Sequence, residues 1–121
     1  MIDLNSLVFE LLEHGMDDWC SDGEVASIVL ERFSDIEYRE LTEIVMKLVR
    51  TVLENNWMQA GTYTDAKGFS AWSLDAVGAI GKINCLWDEL GRKPHFGELF
   101  MLDITPAGEE VYRLWRQQKK Q

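Results

Sequence analysis

The 121-residue sequence predicts a mostly α fold with a small antiparallel β-sheet, an α+β domain. Three observations carry this expectation. Apolar residues recur at i, i+3, i+4 spacing through most of the chain, two short aromatic and branched apolar runs read as strands, and capping residues separate the segments. At 46% hydrophobic the chain holds enough apolar surface for one ordinary core, so one domain over residues 1–121 is expected.

Leu4, Leu7, Val8, Leu11 and Leu12 keep helical spacing, with Asp3 as front cap and Gly15 as stop. After a connection over residues 16–20, Ser21-Asp22-Gly23-Glu24 reads as a capping box: Ser21 accepts from the Glu24 amide and Glu24 returns the bond. The following helix buries Val25, Ile28, Val29 and Phe33, and Ser34-Asp35 interrupts the pattern. Leu41, Ile44, Val45, Leu48, Val49, Val52 and Leu53 then keep the strictest rhythm in the chain, which predicts a central third helix ending at Asn55-Asn56.

Residues 57–63 read as a strand, 64–68 as a turn and 69–72 as a short extended piece. Ser73 caps a predicted fourth helix with Val77, Ile80, Ile83, Trp87 and Leu90 on its apolar face and Gly91 as its stop. Residues 99–104 form the second predicted strand. Thr105-Pro106 opens the last helix, since proline at the first helical position gives up an amide that has no intrahelical partner.

Formal net charge is −9, and the imbalance is local. Residues 1–40 carry eleven acids against Arg32 and Arg39, whereas residues 41–121 carry ten acids and ten bases. One side of the molecule is therefore expected to be acidic, a field that repels phosphates and draws in basic partners. The start of the chain has no basic segment ahead of an apolar run, and charged residues interrupt each apolar stretch, so a cytoplasmic protein without a membrane span is expected. Cys20 and Cys85 lack neighbouring ligands at metal spacing and read as reduced thiols.

No catalytic constellation is legible, so the expectation is a binding protein with no cofactor and no metal. A calcium loop starting at Asp18 requires an oxygen ligand at its third position and a glutamate at its twelfth, where Cys20 and Val29 stand. His14 and His95 are the two histidines, and neither lies beside a serine or cysteine in a nucleophile motif. Of five tryptophans, Trp57, Trp87 and Trp115 fall on apolar stripes, while Trp19 and Trp72 sit in connections among polar residues. A loop tryptophan is either a lid over the core or a binding anchor. The candidate partner-binding surface is accordingly Trp19 and Trp72, surrounded by Asp17, Asp18, Asp22, Glu24 and Asp75.

Three helices, a strand ending at Tyr63, a later strand over residues 99–104, and Ile104-Thr105-Pro106 with Gly108 together resemble the winged-helix architecture. The chain departs from that architecture in a helix-bearing insertion between the two strands, about residues 64–98, far longer than an ordinary wing; the resemblance implies a DNA-binding regulator as one function. The expected recognition helix, residues 36–55, has Arg39, Lys47 and Arg50 against Glu37, Glu40, Glu43 and Glu54, a balance unsuited to phosphates. The signatures Asp17-Asp18-Trp19, Gly68-Phe69-Ser70-Ala71-Trp72 and Leu86-Trp87-Asp88-Glu89-Leu90-Gly91 look like those of a group of small bacterial proteins. In size and charge the chain is similar to immunity proteins of toxin-immunity systems, including contact-dependent growth inhibition. That similarity implies neutralisation of a basic, nuclease-type toxin by direct binding, with the N-terminal acids steering and the tryptophans anchoring.

Overall fold

The computed structural model describes residues 3–93 and 98–119, so His95 lies outside the described residues. The elements run α1 (Leu4–Asp17), β1 (Cys20–Ser21), α2 (Asp22–Arg32), α3 (Tyr38–Glu54), β2 (Met58–Thr64), β3 (Gly68–Ala71), α4 (Ala76–Leu90), β4 (Met101–Ile104) and α5 (Pro106–Lys119). This is the α+β fold that the pattern predicts. The four strands pair antiparallel in the order β1-β4-β2-β3.

Local chemistry sets the helix boundaries. Asp3 accepts from the Ser6 amide (3.2 Å), Ser21 from the Glu24 amide (3.1 Å) and Thr105 Oγ1 from the Gly108 amide (3.1 Å), each filling one orphan donor of a first turn. The return half of the capping box is replaced, because the Glu24 carboxylate lies 3.8 Å from His14 Nδ1. Gly15 does not stop α1. It is buried inside the helix, where an added Cβ would come within 2.9 Å of Met58 Cε, and its small size lets α1 approach the sheet. Asp75 rather than Ser73 caps α4, accepting from the Gly78 amide at 2.8 Å.

The seven apolar residues predicted for α3 are all buried, each contributing about 1.5–3 kcal/mol of transfer free energy. Ile80, Ile83 and Trp87 of α4 are buried as expected, but Val77 is 76% exposed, its place on the inner face taken by Ala76 and Ala79. One apolar cluster runs from Leu7 in α1 to Tyr112 in α5 and includes Ala79, Ile80, Ile83 and Trp87 of α4.

The strand registers divide the sheet into two faces. Side chains alternate along a strand, so Met58 and Ala60 of β2, Leu102 and Ile104 of β4, and Cys20 of β1 share the face that the helices cover. Gln59, Gly61 and Tyr63 of β2, Phe69 of β3, and Met101 and Asp103 of β4 share the other. This second face carries the site described below.

The start of α5 is pinned to the start of β2. Thr105 donates its amide to the Trp57 carbonyl (3.0 Å) and its hydroxyl to the Asn56 carbonyl (2.6 Å), and a Cβ built on Gly108 would lie 2.1 Å from the Trp57 carbonyl oxygen. That contact is with backbone and offers no rotamer escape. Gly108→Ala is expected to lower stability by about 3 kcal/mol, the upper end for forced overpacking. Urea denaturation checks this, and an unchanged midpoint would show that α5 is not held by this contact.

Candidate functional site

The second face of the sheet holds an aromatic cluster built from three separate elements. Tyr63 and Phe69 are cross-strand partners flanking the β2–β3 turn, where Gly68 takes a left-handed conformation (φ +68°) that favours glycine. Trp19, immediately ahead of β1, lies against both rings, with centroids 5.4 Å from Tyr63 and 6.0 Å from Phe69. Phe69 also leans over Gly61, where a Cβ would come within 2.8 Å of its ring. Glycine in the strand thus leaves room for the cluster.

A groove of about 270 Å³ opens beside Trp19, lined by Asp18, Trp19, Glu24, Tyr63 and Met101. Met101 is 2% exposed, whereas Tyr63 is 39% exposed, so the groove runs from a dry floor to an open aromatic rim. Asp17 and Asp18 stand at the C-terminal end of α1, where the helix dipole is already negative. Carboxylates there cost stability by about 0.3–1 kcal/mol each. Asp18 is held in place by accepting from the Trp19 amide at 2.7 Å.

The structure divides the seven predicted site residues among three places. Asp18, Trp19 and Glu24 line the groove, and Asp17 is an exposed acid one position before Asp18, at the end of α1. Trp72 and Asp75 lie on the opposite side of the sheet: Trp72 donates its indole N–H to Thr62 Oγ1 (2.8 Å), and Thr62 and Tyr63 are successive residues of β2 that point to opposite faces. Lys82 Nζ sits 4.2 Å from the Trp72 ring centroid, so that ring's cation-binding face is occupied from within the chain. A second cavity of about 200 Å³ brings Trp72 and Asp75 together with Met58 and Ala60, well away from Trp19.

Asp22 is not a surface acid. It is 1% exposed, accepting from its neighbour's amide at Gly23 (2.7 Å) and from the amides of Leu99 and Phe100 (3.3 Å for Phe100), while its own amide donates to the Phe100 carbonyl (3.3 Å). It ties the β1–α2 junction to the approach of β4. This also explains why β4 begins at Met101 rather than Leu99: the two preceding amides bind a carboxylate instead of a strand.

Tyr63, Phe69 and Met101 belong to the site and were absent from the sequence-based set. The signal for Tyr63 and Phe69 is their position on either side of a turn closed by Gly68, the spacing of a cross-strand aromatic pair. Met101 carries no such signal.

Neither cysteine forms a reactive centre with these groups. Burial, reinforced by the nearby carboxylates of Glu24 and Asp18, pushes the Cys20 thiol up to about 12, from an ordinary value of 9.0. Its Sγ lies 3.8 Å from the Leu11 carbonyl oxygen. Because the folded protein favours the neutral thiol, this contribution to stability is fully present below pH 9.0 and is lost as pH rises toward about 12. A thiol reagent at neutral pH is therefore expected to modify the exposed Cys85 at once and Cys20 only on unfolding. Thermal melts across pH 8–12 should show a smaller alkaline loss in Cys20→Ala; two equally fast thiols would contradict the assignment.

A further cavity of about 400 Å³ lies between α1 and α5 and is lined by Asp3, Asn5, Ser6, Phe9, Trp115 and Gln118. Its one carboxylate, Asp3, already caps α1, and the lining supplies no acid–base or nucleophile pair. Among the described residues, no group of three or more His, Cys, Asp or Glu side chains is placed to hold a metal ion. No helix among them is long and apolar enough to cross a membrane. Comparison with known proteins finds no matching family model, no matching curated protein and no matching solved structure.

Proposed function

We propose that this chain is a cytoplasmic, non-catalytic binding module that neutralises a basic protein, in the manner of an immunity protein against a nuclease-type toxin. The observation that carries this reading is the groove in which Asp18 and Glu24 flank the Trp19, Tyr63 and Met101 surface on the second face of the sheet. A nuclease presents a cationic cleft to its substrate, and a preformed acidic surface with an aromatic anchor complements such a cleft in charge and shape. Asp17 and Asp18 support the reading from another direction, since carboxylates at a helix C-terminus work against local stability and are understandable as features kept for binding.

The test is affinity capture of the tagged chain from cells that naturally make it, with elution by increasing salt and identification by mass spectrometry. A basic protein held at about one-to-one stoichiometry and released by salt is expected, because the attraction is electrostatic and screened beyond about 10 Å at 0.1 M. Recovery of DNA instead would favour a winged-helix regulator, and recovery of an acidic or uncharged partner would contradict the proposal.

A further inference from the structure

The groove beside Trp19 has the size and lining of a receptor for a single side chain. At about 270 Å³ it falls just below the roughly 300–1,000 Å³ of small-molecule sites. Its walls divide by chemistry: the Trp19 and Tyr63 rings and the Met101 thioether on one hand, the Asp18 and Glu24 carboxylates on the other. An occupant matching both needs a flat or apolar stem and a cationic end. Among the described residues the chain itself supplies no lysine or arginine over Trp19, whereas on the opposite face Lys82 already covers Trp72. The Glu24 carboxylate lies 3.8 Å from His14 Nδ1.

We propose that this groove receives one arginine side chain from the basic partner, its guanidinium against the aromatic rings and its N–H groups directed to Asp18 and Glu24. Arginine fits better than lysine because a planar guanidinium stacks on an aromatic face and presents several donors at fixed angles, whereas an ammonium is a compact and more strongly hydrated point charge. The inward-facing N–H groups meet two separate carboxylates, and the methylene stem covers Met101. The tilt between Trp19 and Tyr63, 50°, leaves the two rings splayed rather than closed on each other. The assignment of the arginine to a partner protein rests on the function proposed above, but the chemistry of the groove does not.

The test uses the isolated chain and short blocked peptides of glycine and serine around one central arginine, lysine or citrulline, followed by the indole N–H signals in NMR. The Trp19 signal is assigned by its loss in Trp19→Phe. The arginine peptide is expected to shift it saturably, about ten-fold more tightly than citrulline, which keeps the shape but lacks the charge. Lysine should bind about three-fold more weakly than arginine. Asp18→Asn with Glu24→Gln should erase the preference for arginine over citrulline while leaving the other indole signals in place. Equal binding of citrulline and arginine, or a response at Trp72 or Trp115 without one at Trp19, would overturn the proposal. Saturable arginine binding without capture of a basic protein would refute the functional reading alone. Capture of a basic protein without a Trp19 response would refute the groove's role alone.

Discussion

Asp22→Ala is expected to lower the stability of the folded chain by about 3–5 kcal/mol, although the residue replaced is an aspartate in a strongly acidic segment. The carboxylate removed is the shared acceptor for the Gly23, Leu99 and Phe100 amides, and it is 1% exposed, so water cannot take its place without opening the β1–β4 edge. A buried amide left without an acceptor costs about 1–3 kcal/mol, and at least two are affected. Asp22→Asn keeps one carbonyl oxygen but turns an NH2 group toward donors, so its loss should be intermediate. Asp18→Ala, four positions earlier and exposed, should change stability by no more than about 1 kcal/mol, the upper end of the helix-dipole cost it relieves. Denaturant unfolding of the three variants checks the order, and equal losses for Asp22→Ala and Asp18→Ala would contradict it. The effect reaches the site as well, because Trp19 immediately precedes the strand that Asp22 fastens.

Reversal of the acids at and beside the groove in the triple variant Asp17→Lys, Asp18→Lys, Glu24→Lys is expected to weaken capture of a basic partner by about 100-fold or more at low salt, with the fold retained. The change replaces three attractive charges by three repulsive ones on the face proposed to meet the partner. Stability should move little, because lysines at the C-terminal end of α1 favour the helix dipole while loss of Glu24 from the first turn of α2 opposes it. Quantitative capture with circular dichroism as a check on folding measures both effects. The same reversal of Asp75 alone, on the other side of the sheet, should leave capture unchanged.

The parts of the fold set by neighbouring residues were readable from the sequence. The seven-residue rhythm of α3, the Asp3, Ser21 and Thr105 caps and the Gly91 stop depend on residues three or four apart, and each is found where the pattern places it. Pairing across the chain was not readable. β1 is two residues long and exists because β4, about 80 positions later, hydrogen-bonds to it. Asp22 looked like one more acid in a capping box, since its partners at Leu99 and Phe100 are equally remote.

The candidate site shows the same division. Asp18, Trp19 and Glu24 come together, with Asp17 beside them in the chain, because they flank one short connection, and that nearness was visible in the sequence. Trp72 and Asp75 were grouped with them on residue type alone, and strand alternation places Trp72 on the opposite face. Tyr63, Phe69 and Met101 enter only through the register β3-β2-β4, which depends on the whole sheet.

The most direct measurement of the central claim is hydrogen–deuterium exchange of the chain alone and bound to the basic protein it captures. Protection concentrated in residues 17–24 and 61–71, with residues 72–90 and α5 unchanged, is the predicted result. Protection confined to α4 or α5, with the Trp19 groove exchanging as freely as in the unbound chain, would contradict it.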